Sequence, residues 1–186
     1  MTVTAFENLP IDGLPRVPPD TQMAAYKFGA NCGPVSLAAV TGTFVYTLMR
    51  YFPEFPGRDH TTAADMKYAL TQCGAKFHIE NQGLPDIGVA LIQLEGPWTR
   101  PGVPTIASLC YTHWIGCYRD YVFDLNVSDW LEREEWTACG ANGWMSSVPR
   151  CTGWHVREAI EITPLPFQFS PYGRVPLRSA RKASQH

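Results

Sequence analysis

The sequence predicts an α+β fold in which a helix led by a cysteine packs on an antiparallel β-sheet. Three observations carry this. Small residues follow Asn31-Cys32-Gly33-Pro34 in a run that suits a buried helix. Two apolar runs, Thr112 to Tyr118 and Tyr121 to Asn126, are separated by two residues and read as a hairpin. Helical signals gather in the first half of the chain and strand signals in the second, the segregation that marks α+β rather than alternating architecture.

Residues 1–30 contain Pro10, Pro15, Pro18 and Pro19 and are expected to form an extended surface arm, neither helix nor central strand. Asn31 can cap the helix that follows, Pro34 is tolerated in its first turn, and Gly42 closes it. A second helical stretch runs from about Thr43 to Tyr51 and ends at the Pro53 and Pro56 loop. Thr62-Ala63-Ala64-Asp65 resembles a capping box with Asp in place of Glu, opening a helix that stops at Gly74. Phe77 to Glu80 is expected as a short strand. Asp86 to Leu94 fits helix or strand and is assigned to helix. Pro104 to Leu109 is a strand, and the hairpin after it turns at Arg119-Asp120. Ser128 to Thr152, with Trp130, Trp136 and Trp144, is expected to form loops with a short helix. Val156 to Thr163 is the last strand. Residues 1–163 thus read as one domain. The tail, 164–186, holds four basic residues, four prolines and no acid, and is expected to be flexible.

Composition narrows the function. The chain has 186 residues, 45% apolar and 17% charged, enough for one domain with a proper core. A net charge of −2 offers no footprint for nucleic acid or an anionic membrane. No apolar run approaches the roughly 20 residues that span a bilayer. Met1 to Pro10 carries Glu7 and lacks the basic start and apolar stretch of a secretory signal, so a cytoplasmic location is expected. No glycine-rich phosphate loop is present, and no cofactor is expected. Six cysteines, scattered singly, are then expected as free thiols.

One of them differs. A nucleophilic cysteine needs its thiolate, and a helix N-terminus favours the anion with about half a positive charge. Cys32 has that position. Gly33 beside it lets a substrate backbone come close, and Pro34 fixes the turn. The general base is expected to be His113, far downstream on an apolar strand, with Trp114 holding the ring and shielding the pair from water. A third group must orient the imidazole. With a two-residue turn, Tyr118 faces Tyr121, and counting back sets Asn126 opposite His113 and Asp124 opposite Ile115, on the same sheet face as His113. Either Asp124 or Asn126 can accept from the ring.

Asn31-Cys32-Gly33-Pro34-Val35-Ser36-Leu37 resembles the segment around the nucleophile of the bacteriocin-processing, double-glycine peptidases, which are papain-like cysteine peptidases. His113-Trp114-Ile115 followed by Phe123-Asp124-Leu125-Asn126 is similar to their strand–turn–strand carrying His and then Asp. It also resembles the Phe-Asp-Pro-Asn segment of papain-like bacterial effector proteases, which favours Asp124 as the orienter. The resemblance covers about twenty residues and implies a papain-like fold, a cysteine peptidase activity through a thioester, and a peptide or protein substrate narrow near its cleavage point. Papain-like families place an oxyanion-binding Gln about six residues before the nucleophile, where this chain has Tyr26. Gln22 lies ten residues before Cys32, so the expected oxyanion donors are Gln22 on a folded-back loop, the Cys32 N–H and the Asn31 side chain.

Other readings remain. The same scaffold supports deamidases, transglutaminases and acyltransferases, which differ in what resolves the thioester. A non-catalytic binder or inhibitor, such as a phage or mobile-element effector, is the alternative from another class, with the C-terminal tail meeting a protein partner. A metal site is not expected. Alternation along the strand turns Cys110 away from His113 and Cys117, and no zinc-ribbon spacing is present. The remaining tryptophans are expected to serve as core or groove wall.

Overall fold

The structure, a computed structural model, describes residues 16–80, 83–104, 110–163, 168–170 and 173–175. Helices α1 (Thr21–Phe28), α2 (Cys32–Thr41), α3 (Val45–Leu48) and α4 (Ala63–Cys73) precede the sheet. Strands β1 (Phe77–Glu80), β2 (Ile87–Glu95), β3 (Thr112–Tyr118), β4 (Tyr121–Asp124), β5 (Asp129–Glu132) and β6 (Gly153–Ile162) form one antiparallel sheet, ordered β1-β6-β2-β3-β4-β5. Two short strands, β7 (Gln168–Ser170) and β8 (Gly173–Val175), pair separately. The fold is therefore α+β with an antiparallel sheet, as the sequence predicts.

Local chemistry sets the element ends. Asn31 accepts from the Gly33 N–H at the start of α2, and Gly42 closes that helix at φ 63°. Thr62 and Asp65 form the expected capping box on α4. The second stretch is shorter than expected, with α3 passing into a 3₁₀ turn at Met49–Tyr51. The tight hairpin is present, pairing Tyr118 with Tyr121, and Arg119 takes the positive φ of 53° that primed hairpin turns demand.

Three expectations need correction. First, α1 interrupts the arm: Pro18-Pro19-Asp20 stand ahead of a helix rather than excluding one, and Gly29 ends it at φ 66°. The Asp20 carboxylate caps α3 instead of its own helix, accepting from Val45 N at 3.0 Å and Tyr46 N at 2.8 Å. Second, 86–94 is not helix. It is the central strand β2, buried on both faces, which removes the alternation that announces a strand. Third, 128–152 holds β5 and a continuous helical segment, 133–147. Beyond Pro104, the strand expected up to Leu109 lies outside the described residues, as do residues 1–15 and most of the tail.

The sheet has a layer on each face. Val89, Leu91, Trp114, Phe123, Ile160 and Ile162 join the core built by α2, α3 and α4. Ala90, Ile92, Ile115, Cys117, Val122 and Ala159 face the other way, against Trp136 and Ala141 of segment 133–147. Helix α2 lies directly on β3 because Gly116 has no side chain: a β-carbon there would stand 2.8 Å from Val40 Cγ2 and 3.2 Å from the Ser36 carbonyl oxygen. Among the described residues no single helix is long and apolar enough to cross a membrane.

Candidate active site

The site forms where β3 and β4 part. Their ladder holds only three pairs, Gly116↔Phe123, Cys117↔Val122 and Tyr118↔Tyr121, because β4 ends at Asp124 and turns toward β5. The backbone of Trp114, next along β3 beyond that ladder, is taken up by α2 instead. Its N–H donates to Cys32 Sγ at 3.4 Å, and its carbonyl accepts from Ser36 Oγ at 3.0 Å. Cys32 and Ser36 are one helical turn apart, so a single face of α2 takes the place of the missing strand.

His113 and Asp124 project from the opposite face of the sheet. Nε2 of His113 lies 2.7 Å from Asp124 Oδ1, and the two side chains are 7% and 2% exposed as residues. With Nε2 so engaged, Nδ1 is left for Cys32, whose side chain is hydrogen-bonded to the ring. Asp124 accepts twice more, from the Asn126 backbone N–H at 2.8 Å on Oδ1 and from the Trp136 indole N–H at 2.9 Å on Oδ2. The Trp144 ring leans over His113, with centroids 5.4 Å apart. Cys32, His113 and Asp124 are thus brought together from α2, β3 and β4.

Electrostatics favour the charged forms. Burial would raise the Cys32 thiol, but the His113 hydrogen bond and charge, with the Trp114 N–H, outweigh it and hold the thiol below its ordinary 9.0. Burial works against the His113 cation too, yet the bonds to Asp124 and Cys32 push it from 6.5 up to about 10. Burial likewise opposes the Asp124 anion, and the His113, Trp136 and Asn126 donors prevail and keep it below the usual carboxylate range. The arrangement is a thiol and an imidazole oriented by a carboxylate, with every shift in the direction of the thiolate–imidazolium form that nucleophilic thiol chemistry needs. Cys117 is its opposite, a buried thiol pushed up to about 12 by desolvation.

This pair has a stability signature. His113 alone would contribute fully below 6.5, and that contribution would drain away as pH rises toward about 10. Cys32 acts in the opposite sense, contributing above 9.0 and losing it as pH falls through its lowered value. Above both 6.5 and the lowered Cys32 value, and up to 9.0, the folded pair holds one proton, on His113, and the unfolded pair also holds one, on Cys32. The two slopes cancel there. Urea unfolding of Cys32→Ser, which retains only the histidine arm, is therefore expected to show stability that declines across this range relative to the native chain. Parallel curves for the two would mean that the ion pair is absent.

The other expected site residues fall elsewhere. Asn126 is exposed beyond the end of β4 and reaches Asp124 only through its backbone. Gln22 lies exposed on α1 with no hydrogen bond to the site. The Asn31 amide nitrogen donates to the Asp59 carbonyl at 2.7 Å, so this side chain is a clamp rather than a free oxyanion donor. Gly33 is buried beneath Thr61, whose side chain fills the space a β-carbon would need, so the missing side chain serves that contact. Trp114 is buried on the α2 side with its indole on the Thr61 carbonyl at 2.8 Å, and Trp144 is the ring that covers His113. At the start of α2, Gly33 N–H and Val35 N–H are bonded to Asn31 and Pro34 has none, which leaves the Cys32 N–H as the backbone donor for an oxyanion.

Thr61, Trp136 and Trp144 are the site residues that sequence reasoning missed. The signal for Thr61 was its place just ahead of the α4 cap; the two tryptophans gave none that pointed to a single target, since a spacing of eight sets them about 80° apart around an α-helix. Among the described residues no three His, Cys, Asp or Glu side chains gather to hold a metal ion. Comparisons with family models, with curated proteins and with solved structures return no match.

Proposed function

We propose that this chain is a papain-like cysteine hydrolase that cleaves a peptide or isopeptide bond through a thioester on Cys32. The observation that carries the reading is the relay Cys32–His113–Asp124, with its histidine and carboxylate buried, assembled from a helix N-terminus and two strands. In this reading the Cys32 thiolate attacks the carbonyl carbon, and the carbonyl oxygen takes the negative charge. The Cys32 N–H and the positive end of α2 stabilise it. His113 gives its proton to the departing amine, and the C–N bond breaks to leave the thioester. His113, now neutral, takes a proton from water; the resulting hydroxide displaces Cys32, and the acid product leaves. Asp124 holds the ring in register through both steps. A substrate narrow near the cleaved bond, such as a Gly-Gly segment, rests on the family resemblance alone.

The absence of a side-chain oxyanion donor from Gln22 or Asn31 favours, as a second reading, a slower thioester-forming transferase or a binding protein on the same scaffold. One experiment separates these. The chain is incubated with peptide coumarin amides, Gly-Gly among them, quenched in acid and weighed intact, with Cys32→Ser as the reference. Hydrolysis above the Cys32→Ser background, with an acyl adduct mapped to Cys32, is expected. An adduct that turns over only when an amine is added moves the reading to a transferase. No adduct and no turnover with any peptide leaves the binding reading.

A further inference from the structure

Segment 133–147 carries two tryptophans onto one bonded pair of side chains, Trp136 onto Asp124 and Trp144 onto His113. They are eight residues apart, whereas two turns of α-helix take about seven residues, so an unbroken α-helix would not aim both at the same place. The segment is not unbroken: Trp136–Ala141 is a π-helical turn, which takes up one extra residue. That insertion restores the common face.

The indole of Trp136 is held closely. It is 1% exposed and packs edge-on against Trp154, with centroids 5.3 Å apart. Gly140 lies against it: a β-carbon there would stand 2.6 Å from Cδ1 and 3.0 Å from Nε1. The ring therefore has one place to lie, with its N–H on Asp124 Oδ2. Asp124 then has one oxygen pinned from behind while the other meets His113.

We propose that Trp136 is a positioning residue for the Cys32–His113 pair, aiming Asp124 at the imidazole through its indole N–H, and that the π turn sets the register that lets it do so. The proposal rests on the hydrolase reading of this site. The charged groups that face Asp124 are His113 from β3 and, beyond it, Cys32 from α2; segment 133–147 adds only the uncharged indole donor. Loss of that donor frees Oδ2 and lets the carboxylate rotate away from the imidazole, and with the lost aim its hold on the His113 cation and the cation's support of the thiolate weaken.

The test is the pH profile of Cys32 alkylation by iodoacetamide in the full-length chain, read by peptide mapping. Trp136→Phe keeps the ring and deletes the donor. Gly140→Ala keeps the indole and displaces it. Trp154→Phe loosens the same packing and leaves the N–H bond in place. In the first two, the acid limb of the profile is expected to move upward by about half a unit to one unit, a roughly 3- to 10-fold slowing below the limb. The third should leave the limb where it is. A limb unmoved in Trp136→Phe, or moved equally in Trp154→Phe, overturns the proposal while the thiolate pair stands. A native Cys32 that labels no faster than the exposed Cys110 overturns the proposal and the hydrolase reading together. Should Trp136→Phe fail to fold, Gly140→Ala decides by the same criterion.

Discussion

His113→Ala is expected to slow alkylation of Cys32 at pH 7 by about 10- to 100-fold. Without the imidazolium, burial and the Asp124 charge both act to raise the thiol, and of the favourable contacts only the Trp114 N–H is left. A thiol back at its ordinary 9.0 is ionised in about one molecule in a hundred at pH 7. The thiolate that does form is a better nucleophile, since nucleophilicity rises with pKa at a slope of about 0.4–0.5, and this offsets part of the loss. The chain supplies its own references. Cys110 and Cys139 are exposed and should label alike in both proteins, whereas Cys117, fully buried, should stay dark until unfolding. Equal Cys32 rates in the native chain and in His113→Ala would mean that the ring does not charge the sulfur.

Asp124→Asn is expected to be nearly as severe and to cost stability as well. Three donors converge on the carboxylate: His113 Nε2, the Asn126 backbone N–H and the Trp136 indole. An amide offers one oxygen, so at least one donor must face its NH₂ group in a site closed to water. If the NH₂ faces His113, the ring is forced to the wrong tautomer, and turnover on the proposed chemistry should fall by about 10⁴-fold, the scale of such a loss in serine hydrolases. Breaking a buried ion pair costs about 3–5 kcal/mol, which lowers the melting temperature of a chain this size by roughly 10 °C. Thermal melts and alkylation of the same preparation check both parts. Native-like melting with native-like labelling would remove Asp124 from the relay.

The parts of this site legible in the sequence are those governed by short-range rules. The Asn31 cap, Gly42 stop and Thr62 capping box are local chemistry, and they fix α2 and α4 before any packing is considered. The hairpin was countable because its turn is two residues long, which sets the parity of the whole ladder; Asp124 therefore could be placed on the His113 face from the chain alone. Misreadings arose where burial or irregular winding erased the pattern. Strand β2 looks helical because it is covered on both faces. The π turn brings Trp144 into line with Trp136 from about 80° away in an α-helical frame, so the two tryptophans looked like unrelated core residues. The packing role of Gly33 was hidden because its emptiness is filled by Thr61, a partner twenty-eight residues downstream that no local pattern announces.

The sulfur at the tip of α2 is also a rung of the sheet, accepting an amide proton where strand β4 has already turned away. Chemistry at Cys32 is for this reason tied to the main chain. On the proposed chemistry, the sulfur becomes a poor acceptor once its electrons are committed to an acyl carbon, and the Trp114 amide would lose its partner for as long as the thioester lasts. Deuterium uptake at that one amide would then keep time with turnover, slow in the resting protein and fast while the acyl group is in place. Serine at position 32 retains an oxygen for the amide and alanine does not, so the two substituted forms would differ in how firmly the middle of the sheet is held.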